Sequence, residues 1–323
     1  MFLQNWINSA RGIVVKMHPK FLVAGSSGLV GSAVVKKLQN LGHTVIGISS
    51  KDVDLRDLVK TRAVLSQIKP TIVIDAAAKV GGIKFNNDFP VDFLLDNLKI
   101  QNNLMEISHE IKVQKFVFLG SSCIYPRNSL QPIKEEFIMT GPLEQTNSAY
   151  ALAKIAGVEL VKSYRKQYNH QWISLMPTNV YGPNDNFNLN TAHVIPALIN
   201  KFVQAKRENS DKVEVWGSGK ACREFIYSDD LADATLFCLE NYNDNSHLNI
   251  GTGEEISIID LAKLISKIVG FNGEIELNTK YPDGTPRKLL DINKLTQLGF
   301  TAKTSLEEGL RSTVNWYIGN LKE

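Results

Sequence analysis

Lys20-Phe-Leu-Val-Ala24 runs into Gly25-Ser26-Ser27-Gly28-Leu29-Val30-Gly31 and then into a stretch from Ser32 to Leu41. The first five residues read as a short buried strand. The last ten, apolar at 34, 35, 38 and 41, read as a helix. Between them the glycines let the backbone turn tightly and approach a pyrophosphate, whose charge a helix N-terminus favours. The spacing is GxxGxxG rather than GxGxxG. Two readings stand: a dinucleotide cradle, or a glycine turn that merely lets strand and helix pack. The strand before and the helix after favour the first.

Working outward, strands and helices alternate. His43 to Ile48 reads as a second strand, Arg56 to Ile68 as a helix, and Thr71 to Ile74 as a third strand ending in Asp75-Ala76-Ala77-Ala78. Asp92 to Ile111 is a long helix, and Lys115 to Leu119 a strand. Asn97, inside that helix, reads as a residue on its wet face. This alternation predicts an α/β fold with a doubly wound parallel sheet, a Rossmann arrangement, and a smaller interwoven α/β lobe. The expected division is an N-terminal extension of unassigned role at 1–16 and a nucleotide-binding domain at 17–180, its sheet completed by about 224–252. The second lobe takes 181–223 and 253–323.

At the tip of the second strand stand Ser49-Ser50-Lys51. An acidic residue there would take a ribose 2′-hydroxyl, whereas hydroxyls and a cation suit a 2′-phosphate. The tip therefore leans toward NADP, although Lys51 also reads as a solvated charge. Asp54-Leu55 is placed to meet an adenine edge and face. Small residues at 76–78 permit close approach of a ligand.

The composition excludes more than it proposes. The 323 residues are 43% hydrophobic and 21% charged, as in an ordinary globular protein. A net charge of +3 without a like-charge block does not predict nucleic-acid binding. No apolar run reaches the roughly 18 residues a membrane span needs, and the first residues make a poor signal peptide. Cys123, Cys222 and Cys238 form no CxxC and no Cys/His cluster. They predict a reduced, cytoplasmic chain without a structural metal.

The reactive side chains collect at two places. Gly120-Ser121-Ser122-Cys123-Ile124-Tyr125-Pro126 follows a strand, where an open α/β sheet carries its chemistry. Tyr150 and Lys154 lie four apart on a predicted helix from Tyr150 to about Tyr168, so they project from one face. An ammonium near a phenol lowers the phenol's pKa and readies it for proton exchange. Cys123 also reads as a small buried residue, the common fate of a free cysteine, and His193 as a helix cap.

With the glycine turn, Ser121, Tyr150-x-x-x-Lys154 and Arg223 to Asp230 in this order, the chain resembles the extended short-chain dehydrogenase/reductases that act on nucleotide sugars. The resemblance narrows at Ala77 to Ile83, Gly120 to Pro126, Tyr150 to Gly157, and Met176 to Pro183 with His193-Val-Ile-Pro196. It points to the branch that converts GDP-4-keto-6-deoxy-D-mannose to GDP-L-fucose with NADPH, by epimerisation at C3 and C5 and reduction at C4. It implies that Tyr150 protonates the C4 oxygen, that Lys154 tunes Tyr150 and holds a ribose, and that Ser121 bonds the same oxygen. Cys123 and His193 would be the pair that inverts C3 and C5. Positions implied at the cofactor are Gly25 through Gly31, Ser49, Lys51, Asp54, Leu55, Ala76, Ala77, Ala78, Leu119, Pro177, Asn179, Val180 and His193, besides Tyr150 and Lys154. Lys201, Trp216, Arg223, Asp283 and Asn179 would hold the GDP-sugar, and the protein would be a homodimer.

The family commonly has an arginine in the glycine turn and others at the tip of the second strand. Ser26, Ser27, Ser49 and Ser50 depart from that, so NAD stays admissible beside NADP. The same residues also suit a GDP-colitose or GDP-heptose type of 4-keto substrate. A non-catalytic dinucleotide-binding regulator is the reading from another class.

Overall fold

The computed structural model describes residues 19–281 and 284–321. The expected extension at 1–16 lies outside them, as does Asp283. The chain opens as β1 (Lys20–Ala24), α1 (Leu29–Asn40), β2 (Thr44–Ile48), α2 (Leu58–Ile68) and β3 (Ile72–Asp75). It continues as α3 (Ile83–Asp88), α4 (Pro90–Glu110), β4 (Lys115–Leu119), α5 (Ser148–Tyr168), β5 (Ile173–Pro177) and β6 (Asn179–Tyr181). Then follow α6 (Val194–Arg207), β7 (Lys212–Trp216), β8 (Cys222–Tyr227), α7 (Ser228–Asn241), β9 (Leu248–Ile250) and β10 (Glu255–Ser257). The last elements are α8 (Ile258–Val269), β11 (Glu274–Asn278), β12 (Arg287–Lys288), α9 (Asn293–Gln297) and α10 (Leu306–Gly319).

Six strands form one sheet in the order β2-β1-β3-β4-β5-β9, every neighbouring pair parallel. Side chains alternate across it with the period of two that a strand imposes. Phe21, Val23, Ile74 and Val117 pack on α1 and α7, while Leu22, Val73, Phe116 and Phe118 pack on α2, α4 and α5. Both faces are covered, which is why the strands read as continuous apolar runs. The doubly wound sheet expected from the sequence is the one observed. Its strand order reverses between β1 and β3, so the crevice for a ligand opens where the glycine turn and the Ala76–Ala78 segment meet.

A second core lies over α6, α8 and α10, with β7 paired to β11 and β8 flanked by β6, β10 and β12. Of residues 224–252, only β9 joins the six-stranded sheet, and β8 belongs with β6 in the smaller assembly. Glu224 ties that assembly together. Fully buried, it accepts from the backbone N–H of Thr252 (2.7 Å), Gly253 (2.8 Å) and Leu290 (3.0 Å). Burial pushes its carboxyl pKa upward, and those three donors pull it back.

Candidate active site

Between the two assemblies runs one cleft of about 1750 Å³, lined at one end by Gly25 and Gly28 and at the other by Trp216 and Tyr281. Single-ligand pockets usually measure about 300–1,000 Å³, so this cleft has room for two sizeable ligands in line. Its chemistry has three parts.

The glycine turn forms the first. Gly25 has φ +78°, and a Cβ there would lie 2.6 Å from Ala76 O; a Cβ on Gly31 would lie 2.1 Å from Gly25 O. The turn is packed too tightly for side chains. Gly28 caps α1 with no side-chain hydrogen bond, which leaves the first-turn N–H groups of a twelve-residue helix open to an anion. These residues fit the diphosphate of a dinucleotide. Ser27, Leu29, Val30, Asp54, Leu55, Ala76, Ala77, Ala78, Leu119, Pro177, Asn179 and Val180 also line the cleft.

Not every expected position reaches the cleft. Ser26 turns back over β2, where a Cβ on Gly47 would touch it at 2.5 Å, and Lys51 sits in the exposed turn beyond β2. Ser49 lines the cleft but is occupied: its N–H and hydroxyl both donate to Asp52 Oδ2, at 2.8 and 2.7 Å. Arg56, which the sequence did not single out, lines the adenosine end and pairs with Asp54 (2.9 Å) and Asp96 (3.1 Å).

The tip of β4 and the start of α5 form the second part. Ser121 caps the short helical turn Ser122–Ile124, its Oγ accepting from Cys123 N–H at 3.3 Å. Tyr150 shares a side-chain hydrogen bond with Ser121 and lies within electrostatic reach of Cys123. Lys154 is buried, donates to Leu119 O at 2.9 Å and stands 5.9 Å from the centre of the Tyr150 ring. The expected lowering of the tyrosine pKa is not what this geometry gives. Burial pushes the Tyr150 phenol upward, and the Ser121 hydrogen bond recovers only part of that. Burial likewise pushes the Lys154 ammonium downward. The result is a neutral phenol, the proton-loaded form that an acid needs.

Cys123 is half-buried, and its Sγ receives Asn147 Nδ2 at 3.3 Å and Lys288 Nζ at 3.8 Å. His193 caps α6, its ring exposed to the cleft, and the surrounding walls push its pKa below the ordinary value by desolvation. Its position depends on the Gly81-Gly82 pair. Gly82 N–H donates to Thr191 O at 2.9 Å, and a Cβ on Gly82 would lie 2.5 Å from Ala192 O. Asn97 holds the other end of that loop. It is 2% exposed rather than on the wet face, and it pairs with both backbone groups of Lys79, at 2.9 and 3.0 Å. The amide exchanges the hydrogen bonds a strand would offer, a role no sequence period announces.

Asp75 ends β3. It pairs in register with Phe118, so both side chains face α5, where the Lys154 ammonium lies 4.7 Å from the Phe118 ring centre. Asp75 is 1% exposed, and its Oδ2 has no hydrogen-bond partner among the described residues. Burial raises its pKa from 3.8 to about 6, against the pull of Lys154. A carboxyl that binds its proton more tightly folded than unfolded costs stability as pH rises through that interval and above it. Asp75→Asn is therefore expected to stabilise the protein by about 3 kcal/mol at pH 8, the gain shrinking by about half at pH 5. Urea unfolding at the two pH values checks this; a variant no more stable at pH 8 contradicts it.

The third part is the far end of the cleft. Trp216 stacks on Tyr281 (4.1 Å, 12°) and receives the Lys201 ammonium over its ring at 4.8 Å. Lys201 also donates to Glu214 O at 2.8 Å, and burial lowers its pKa. Arg223 lines the same end, and Asn179 is anchored on Glu224 O at 2.8 Å.

A two-layered α/β enzyme cleft with a diphosphate turn, a Ser/Tyr/Lys set and a flat aromatic rim defines a class, and comparison with known proteins gives the same one. The chain belongs to the NAD dependent epimerase/dehydratase family, whose model matches residues 21–251. Within it the chain is similar to GDP-L-fucose synthase 1 of Arabidopsis thaliana, 49% identical over 94% of this chain and 94% of the relative. Among solved structures, a GDP-L-fucose synthetase from Naegleria fowleri bound to NADP is 33% identical with a TM-score of 0.88, covering 95% of each chain. A GDP-6-OMe-4-keto-L-xylo-heptose reductase from C. jejuni is 34% identical with a TM-score of 0.90, covering 94% of this chain and 99% of that one.

Proposed function

We propose that the protein converts GDP-4-keto-6-deoxy-D-mannose to GDP-L-fucose with NADPH, acting as a 3,5-epimerase and a 4-reductase in one cleft. The observation that carries the reading is the β4 tip: Ser121, hydrogen-bonded to Tyr150, stands two residues from Cys123, with His193 lining the same cleft. Protons on C3 and C5 are removable because the charge left behind moves onto the C4 oxygen. Ser121 and Tyr150 donate to that oxygen and stabilise the enolate. Inversion needs a proton taken from one face and returned to the other, so two different groups are required. A thiol and an imidazole both exchange protons near neutral pH, and Cys123 and His193 supply them. Bound NADPH supplies a hydride to C4, and Tyr150 gives the C4 oxygen its proton, with Lys154 holding a ribose. The GDP end lies against Trp216, with Lys201 and Arg223 at the diphosphate. Asp283 completes that set by resemblance.

The adenosine end supports NADPH with weak discrimination. A 2′-phosphate would meet Ser50 and Arg56 but also stand near the Asp52 carboxylate that holds Ser49. Among the described residues no bidentate arginine is dedicated to it, because Arg56 already serves Asp54 and Asp96. The ratio of kcat/KM for NADPH over NADH is expected to be about tenfold or less, a difference of about 1.4 kcal/mol. A ratio in the thousands contradicts this account of the β2 tip.

A dimer through α4 and α5 accounts for Val91, Leu95 and Leu152, which are 63%, 46% and 50% exposed on those helices. The free thiols suit a reducing cytoplasm. Incubating the protein with GDP-4-keto-6-deoxy-D-mannose and NADPH tests the function. GDP-L-fucose is expected, and NADPH left unoxidised overturns the reading. The resemblance in structure to a GDP-heptose reductase favours one rival, a 4-reductase for a related GDP-4-keto sugar.

A further inference from the structure

Cys123 is not a bare thiol at a strand tip. Two nitrogen donors converge on its Sγ, Asn147 Nδ2 at 3.3 Å and Lys288 Nζ at 3.8 Å. Each arrives from a different element, and among the described residues neither side chain donates elsewhere. Asn147 stands at the N-cap of α5, where a side chain ordinarily serves the helix N–H groups, yet it makes no capping bond. Its Oδ1 is buried without a hydrogen-bond partner among the described residues. Lys288 ends β12, in register with Arg223 on β8, and lines the cleft half-buried. Among the described residues it forms no ion pair with a carboxylate, unlike Arg287 beside it, which is bound to Glu255 at 2.8 Å.

We propose that Lys288, helped by Asn147, is a positioning residue that holds negative charge on the Cys123 sulfur during epimerisation. A sulfur that takes a proton from C3 or C5 must first be a thiolate. A neighbouring ammonium and an amide N–H stabilise that anion as donors stabilise an oxyanion. The C–H electron pair moves onto the C4 oxygen and the proton onto sulfur, so Lys288 keeps its own proton throughout. In sequence Lys288 is one of two cations in the turn-rich stretch 282–288, suited to a phosphate or to an exposed loop. The fold brings it 165 positions back to the β4 tip.

This inference rests on the proposed function for its meaning, and the test separates the two. Alkylation of Cys123 by iodoacetamide at pH 7, with thiolate absorbance at 240 nm, is followed in the substrate-free protein, and Cys123→Ser identifies the signal. Lys288→Met is expected to slow alkylation about tenfold and reduce the absorbance, Lys288→Arg to restore most of both, and Asn147→Ala to slow alkylation a few-fold. Retained NADPH affinity shows that the variants fold. Alkylation unchanged in Lys288→Met overturns the inference. So does unchanged alkylation with a raised KM for the GDP-sugar, which would make Lys288 a substrate ligand. A wild-type protein without epimerase activity, but with Lys288-dependent alkylation, overturns the function and leaves the pairing standing.

Discussion

Replacing Tyr150 by phenylalanine is expected to lower kcat for NADPH oxidation about a thousandfold while NADPH affinity stays within a few-fold. Deleting one oxygen removes the proton that the C4 oxygen receives, and general acid catalysis contributes about 10²–10⁴ in rate. The ring stays, so its edge-on packing against Phe93 (6.3 Å) survives and the fold is not at issue. The phenol, pushed up by burial, is proton-loaded across the neutral range, so its ionisation should impose no alkaline limb on the rate below pH 9. Epimerisation should suffer less, because Ser121 still donates to the enolate oxygen. Stopped-flow NADPH oxidation and deuterium wash-in, measured on one preparation, check both halves. Equal loss of the two activities contradicts this division of labour.

Cys123→Ser is expected to abolish exchange of the C3 and C5 protons with solvent, by at least a thousandfold, while NADPH binds as before. Serine keeps a small polar group at the position but is a far weaker acid than a thiol, so at neutral pH it cannot act as the base. With reduction uncoupled from epimerisation, Tyr150 and Ser121 remain able to serve the unepimerised ketone, and GDP-6-deoxy sugars of unaltered C3 and C5 should accumulate slowly. Exchange that persists in the variant would remove Cys123 from the mechanism.

Much of the fold was legible because a doubly wound sheet writes its strands as apolar runs. Lys20–Ala24 and Lys115–Leu119 are strands over the residues expected of them. The smaller lobe was harder to read. β10 and β12 have three and two residues, too short for a period, and Glu224 binds backbone groups in the segments beside them that are far apart in sequence. α10 left a signal that was missed: Leu310, Val314 and Tyr317 are spaced for one helix face, and Ser305 with Glu308 forms a capping box. In the site, residue types at a strand tip and at a four-residue helical spacing pointed to Ser121, Cys123, Tyr150 and Lys154. Asn97, Asn147, Asp75 and Lys288 could not be found that way. Each acts through a contact made by folding, and each has a bland local reading: a wet helix face, a cap, a strand end, a surface cation. The tyrosine pKa was misread for a related reason, since a local i, i+4 argument omits burial.

The central claim is that one ketone serves two reactions in one cleft. Running the wild-type protein with GDP-4-keto-6-deoxy-D-mannose and NADPH in deuterated water, and locating deuterium in the product by NMR, tests it most directly. The account predicts deuterium at both C3 and C5 and none at C4, in a product of L-galacto configuration. Deuterium at one centre would place the protein with colitose-type enzymes, and deuterium at neither, with NADPH consumed, would make it a simple 4-reductase and contradict the epimerase role of Cys123 and His193.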